Sequence, residues 1–210
     1  MNTDAATTQQ AKHLRITNPS PWVARFSSII TAGGHVLDIA CGGGRHSHHL
    51  LDAGFRVTAI DKETTSVSER LGARKDLAIV TADLEGKTDP FAPDGCIYAQ
   101  SFDGIIIVNY LYRPLMPMLV NALRPGGVLI YETFARGNEA FARPRNPDHL
   151  LRSGELLDLV AGQLQVVAYE HGLIEVDDLP GVKQRLVAVR DLETSTREDG
   201  DPTAHTLGHR

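Results

Sequence analysis

One short stretch of the chain holds Asp38, Cys41, three consecutive glycines at 42–44, Arg45, His46, His48 and His49. Consecutive glycines cost backbone entropy on folding, so they are spent where a chain must turn sharply or where a ligand lies against the backbone. The neighbouring residue types narrow the chemistry. The three histidines lack a carboxylate or cysteine ligand spaced to complete a metal set, and no metal is expected. No Cys/His pair at helical or strand spacing activates Cys41, which reads as a small loop filler. A phosphate-binding loop needs Gly-Lys-Ser/Thr, which is absent, and the dinucleotide pattern G-x-G-x-x-G counted from Gly42 meets Ser47 where its third glycine belongs.

The loop must be held by regular elements, and their signals alternate. "SPWVARFSSII" predicts a helix opened by Ser20 and Pro21. "HVLDIA" is a buried strand leading into the glycines. A helix over 44–53 ends at Gly54, "FRVTAI" is a second strand, and a helix over 62–71 ends at Gly72. "LAIVTA" is a third strand, followed by the loop "EGKTDPFAPDGCIYAQS". "FDGIIIVNY" is apolar on both faces and belongs in the sheet centre. Pro114 opens a helix over 114–123, "RPGG" ends it, and "VLIYETF" is a fifth strand. After the long loop "ARGNEAFARPRNPDHLL" comes a helix opened by Ser153. "LQVVAYEHGLIE" and "VKQRLVAVR" then form an antiparallel pair. The predicted fold is α/β, a doubly wound, mainly parallel seven-stranded sheet with a C-terminal antiparallel hairpin. Ligands of such sheets lie beyond the C-terminal strand ends at the switch point, where the glycines sit.

With 210 residues, 42% of them hydrophobic, the chain suits one domain, placed at 18–190 between polar segments 1–17 and 191–210 expected to be disordered. A net charge of -5 sets up no global field toward nucleic acid or anionic membrane. No apolar run approaches the roughly 18 residues of a membrane span, and "MNTDAATTQQAKHLR" lacks the apolar stretch of a signal peptide. Two cysteines without a secretion signal predict a reduced, cytoplasmic protein.

The motifs resemble, in order, those of the class I S-adenosylmethionine-dependent methyltransferases, small Rossmann-like enzymes. Asp38-Ile39-Ala40-Cys41-Gly42-Gly43-Gly44 is similar to their glycine motif, with Ala40 in place of its first glycine. "VTAIDKE", "TADLE", "FDGIIIVNYLYRP" and "LRPGGVLIYETF" are similar to the motifs that follow. The resemblance spans roughly residues 33–135 and extends to a set of bacterial enzymes related to the tellurite-resistance type. It implies S-adenosyl-L-methionine as cofactor, held by Asp38, Ala40, Gly42, Gly44, Asp61, Lys62, Asp83, Leu84 and Asn109. In it Asp61 holds both ribose hydroxyls, Asp83 meets the adenine amine, and Asp38 orders the loop or holds the ammonium through water. Asp61 also stands where it could cap the next helix. Arg45 is expected near the cofactor's carboxylate.

The methyl acceptor is less legible. "NYLYRP" lacks the Pro-Pro element used for exocyclic amines of DNA. The expected partner is a small polar or anionic molecule, with no membrane and no nucleic acid. Loops beyond about 12–15 residues without regular structure are often functional. The region Tyr131–Leu156 is therefore the candidate acceptor site, and the segment Arg143–His149 its lid. Candidate substrate contacts are His46, Tyr112, Arg113, Arg143, Arg145 and Asn146. Candidate catalytic groups are His149, Glu132 and Tyr112, needed as a base only for hydroxyl or amine acceptors. The competing reading of the loop is a structural one, with Arg143 and Arg145 pinned by acids. Two other functions are carried as alternatives: a non-catalytic adenosylmethionine-binding sensor or partner subunit and, against the pattern broken at Ser47, an NAD-dependent oxidoreductase.

Overall fold

The computed structural model describes residues 16–86, 89–92, 94–175, 180–192 and 204–207. The remainder of the segments expected to be disordered, 1–15, 193–203 and 208–210, lies outside the described residues. Seven strands form one sheet: β1 (His35–Ile39), β2 (Arg56–Asp61), β3 (Leu77–Thr81), β4 (Phe102–Val108), β5 (Leu123–Phe134), β6 (Gln165–Ile174) and β7 (Gly181–Val189). Their order is β3-β2-β1-β4-β5-β7-β6. The first five run parallel, and β7 is antiparallel to both β5 and β6. This is the expected sheet, with the last strand inserted between β5 and β6.

Among the described residues five α-helices flank it: α1 (Pro21–Phe26), α2 (Arg45–Asp52), α3 (Thr65–Leu71), α4 (Met116–Ala122) and α5 (Glu155–Val160). Ser20 caps α1 by accepting from the Trp22 N–H, and Pro21 needs no donor in that first turn. Three boundaries differ from the sequence reading. Helix α3 begins at Thr65 behind an N-cap at Thr64, not at 62, because Asp61 and Glu63 turn the chain first. Gly154, in left-handed backbone, and not Ser153, caps α5. The "RPGG" stretch joins β5 as a register shift against β4 between Phe102 and Gly104.

The core lies on both sheet faces. One side packs Leu37, Ile105, Ile107, Leu129 and Tyr131 against α4 and α5, and the other packs Val36, Ile106, Ile130 and Val187 against Trp22, Phe26 and Leu50. Strand β4, central and buried on both faces, has the continuous apolar run that this position demands. Far from the glycines, Arg25 donates to the Leu207 carbonyl and His205 lies 2.7 Å from Asp191, so residues 204–207 rest on the body of the protein. Among the described residues no helix is long and apolar enough to cross a membrane.

Candidate cofactor and acceptor site

Strands β1 and β4 are neighbours, with Ile39 beside Ile107, and their crossovers leave in opposite directions. Beyond their C-terminal ends the chain leaves two abutting cavities. The smaller, about 260 Å³, is walled by Asp61, Lys62, Ala82, Asp83 and Leu84. The larger, about 530 Å³, runs along Cys41, Gly42 and Gly43 to Asn109 and Leu111, and reaches Ile16, Arg143 and His149. Ala40, Glu85 and Tyr110 line both.

The glycine loop is latched to β2. The Gly42 N–H donates to Asp61 Oδ2 at 2.8 Å, and the Glu63 N–H donates to Oδ1 at 3.1 Å. A carboxylate has about four lone-pair sites, so two stay open toward the smaller cavity. Asp61 thus orders the loop from β2, beside Asp38, for which sequence reasoning offered loop order or an ammonium contact through water. Ala40 and Gly42 have φ of +54°, and Gly44 has +73°. Ala40 bears the strain of a left-handed backbone at the position where the resembling motif carries glycine. A Cβ on Gly42 would meet no described atom within 4 Å, whereas one on Gly44 would sit 2.6 Å from Val67 Cγ2. Gly44 therefore lets α2 approach α3, and it does not line either cavity.

Asp38 also lies behind the cavity wall. It is 1% exposed and accepts from Ser47 Oγ at 2.6 Å. Burial pushes its carboxyl up to about 6, against the opposing bond from Ser47. Ser47, the residue that breaks the dinucleotide pattern, ties α2 to β1. Burial likewise pushes the Cys41 thiol up, which suits a filler.

His46 lines the larger cavity at 5% exposure. Its Nε2 accepts from the Ser20 N–H at 3.2 Å, which places the ring proton on Nδ1. Burial, then Arg45, holds it well below the usual imidazole range. With its lone pair occupied, this ring is a neutral donor and not a base. His49 instead faces Ser27, 3.1 Å away.

Glu132 does not reach the cavity. Its oxygens accept from Lys183 Nζ at 2.6 Å and Ser20 Oγ at 2.6 Å, and Arg185 Nε lies 3.3 Å away. Burial alone would raise this carboxyl, but Lys183 and Arg185 overcome it and hold the acid low and ionised. Strand register puts Glu132 beside Arg185 and Phe134 beside Lys183 on one sheet face, where Lys183 stands 5.0 Å over the Phe134 ring. An acid so enclosed is a structural charge, which removes it from the catalytic candidates.

The loop after β5 is braced, though not by the arginines expected. Arg113 donates to both oxygens of Glu155 at 2.6 and 3.0 Å, and to the carbonyls of Asp148 and Leu150 at 2.6 and 2.8 Å. Among the described residues no acid lies within ion-pair distance of Arg143 or Arg145. Arg143 and His149 face the larger cavity, while Tyr112, Arg113, Arg145 and Asn146 do not line it. Asn146 caps a short turn, its Oδ1 accepting from the Asp148 N–H at 3.1 Å.

Sequence reasoning missed Tyr110, which lines both cavities with Glu85. Asn109 has left-handed backbone, and its N–H donates to the Glu132 carbonyl at 2.8 Å. The Tyr131 hydroxyl donates to the Tyr110 carbonyl at 3.1 Å. The wall is thus rigid, yet Asn109 Oδ1 and the Tyr110 hydroxyl are buried without a hydrogen-bond partner. Buried polar atoms are normally paired, and both of these belong to residues that line the larger cavity, where a ligand could complete them.

Comparison with known proteins finds partial likenesses. A family model described as tellurite resistance protein TehB matches residues 11–85. The chain is 32% identical over 120 residues to a tRNA U34 carboxymethyltransferase of Methylococcus capsulatus, covering 52% of this chain and 35% of that protein. It is 31% identical over 137 residues to a ubiquinone biosynthesis O-methyltransferase of Xanthomonas axonopodis pv. citri, covering 62% and 56%. The chain therefore spans between about a third and just over half of the length of these relatives. Among solved structures, TehB of Haemophilus influenzae matches at a TM-score of 0.60 and 16% identity, over 80% of this chain and 61% of that one. A 1,6-didemethyltoxoflavin-N1-methyltransferase of Burkholderia thailandensis, with its substrate and S-adenosylhomocysteine bound, matches at 0.59 and 16%, over 90% of each chain. The fold is shared with these solved structures, and the order of motifs is similar to that of S-adenosylmethionine-dependent methyltransferases. The TehB model covers the part of the chain that holds β1, the glycine loop, β2 and β3.

Proposed function

We propose that this protein transfers a methyl group from S-adenosylmethionine to a small polar or anionic acceptor. The observation that carries the reading is the pair of joined cavities beside a glycine loop latched to Asp61. In this reading the adenosyl part fills the smaller cavity, with the open lone pairs of Asp61 on the ribose and Asp83 beside the adenine. The amino-acid part lies along Cys41–Gly43, and Asn109 completes the wall. The acceptor enters from the Arg143 and His149 side, and the guanidinium supplies two parallel donors suited to a carboxylate or oxyanion. Alignment of acceptor and sulfonium provides much of the rate. His149 is the remaining base candidate on the wall, and His46 serves as a donor. A small-molecule acceptor fits a cavity of this size, and the net charge of -5 disfavours a nucleic-acid partner. Two free cysteines favour a reducing, cytoplasmic setting.

Calorimetry against S-adenosylmethionine, S-adenosylhomocysteine and NAD tests the cofactor; the first two are expected to bind and the third is not. Transfer from labelled cofactor into a metabolite extract tests the activity. Arg143→Ala is expected to keep cofactor affinity within about threefold and to lower turnover at least about tenfold. Tight NAD binding would refute the reading. Cofactor binding with no labelled product would leave a non-catalytic binding protein.

A further inference from the structure

Of the three residues shared by both cavities, Ala40 is a corner of the glycine loop and Tyr110 belongs to the rigid wall after β4. Glu85 is exposed, follows β3, and has its own N–H fixed by Asp83 Oδ1 at 3.0 Å. Among the described residues no cation lies within ion-pair distance of its carboxylate at the junction. Tyr110 beside it stays a neutral phenol, because burial and then the Glu85 charge raise its ionisation. Beyond these shared residues, Asp61, Lys62 and Asp83 line the smaller cavity, and Arg45 and Arg143 the larger.

We infer that Glu85 is a specificity-determining residue that reads the charge on the cofactor's sulfur, favouring the sulfonium of S-adenosylmethionine over the neutral thioether of the product. The inference rests on the cofactor reading above. In that reading the sulfur joins the adenosyl part in one cavity to the amino-acid part in the other, and so sits at their junction. During transfer the acceptor's lone pair forms the new bond to carbon and the S–CH3 bond breaks. The bonding pair stays on sulfur and its positive charge disappears. The attraction to Glu85 is therefore present before transfer and absent after it, which speeds exchange of spent cofactor for fresh. Opposite charges a few ångströms apart at a partly hydrated site attract by enough to matter for affinity.

The test needs no acceptor. S-adenosylmethionine and S-adenosylhomocysteine are each titrated into the wild-type protein, Glu85→Gln and Asp83→Asn. Glu85→Gln is isosteric at an exposed site, and its melting temperature is expected to match wild type. It should weaken S-adenosylmethionine about tenfold and leave S-adenosylhomocysteine within about twofold. Asp83→Asn, facing the adenine, should weaken both ligands alike. Equal effects of Glu85→Gln on the two ligands, or no effect on either, would overturn the inference. Failure of wild type to bind either ligand would instead overturn the cofactor reading itself.

Discussion

Replacing Glu132 with Gln separates a structural acid from a catalytic one. The side chain is 3% exposed, and the change removes the one carboxylate that Lys183 and Arg185 share in the interior. Breaking a buried ion pair by removing one partner costs about 3–5 kcal/mol, mostly as an uncompensated charge. The ceiling follows from Lys183, which can shed its proton. Moving a lysine from an ordinary value near 10.4 to neutrality at pH 7 costs at most about 5 kcal/mol. For a domain of this size each kcal/mol lowers the melting temperature by about 2–4 °C, so a fall of about 6–20 °C is expected. The loss should shrink as pH rises, because a deprotonated Lys183 no longer needs its partner. Adding Lys183→Met should recover part of the stability. Calorimetric melting from pH 6 to 9, with S-adenosylhomocysteine affinity measured well below the transition, reads all of this. Unchanged melting together with lost turnover would refute the structural assignment and return Glu132 to the chemistry.

Three further outcomes follow from the geometry. Asp61→Asn should weaken both S-adenosylmethionine and S-adenosylhomocysteine by roughly 10–100-fold while the protein stays folded, since charge-assisted bonds to ribose are each worth about 1.5–3 kcal/mol; unchanged calorimetric affinity would sink the ribose role. Gly42→Val should block cofactor binding more than it lowers melting temperature, whereas Gly44→Val should mainly lower melting temperature, because its Cβ would strike Val67; identical profiles for the two would count against this division. Asp38, raised to about 6 in the fold, binds its proton more tightly there than in the unfolded chain, so its contribution to stability falls as pH rises from about 4 to 6 and is flat above; Asp38→Asn should flatten that slope in urea titrations and be the more stable form at pH 7.

The strand ends were the legible part of this chain. An acid directly after an apolar run, as at Asp61 and Asp83, is visible from one sequence, and the parallel topology puts both at one edge. What stayed hidden depends on pairings across the sheet. Glu132, near the end of the fifth strand, looked like a free base because its neutralisation by Lys183 and Arg185 comes from β7, the insertion partner of β5. Arg113 looked like a substrate contact because Glu155, its partner, lies 42 residues away. Gly44 looked like Gly42, and only the approach of α3 separates a glycine that admits a ligand from one that admits a helix. Tyr110 and Glu85 meet because the loops after β4 and β3 converge, and neither carries a spacing signal.

The brace made by Arg113 has a further consequence. One guanidinium, in the turn that follows β4, ties that turn to the start of α5 and to two carbonyls of the loop after β5, so the loop is braced where it approaches the cavity. In the proposed reading, acceptor choice is then vested in the side chains at Arg143, Pro144 and His149, which line the larger cavity from a braced loop. On that reading a lineage could exchange those three residues and take up a new acceptor while the cofactor end, lined by other elements, passes through the change intact.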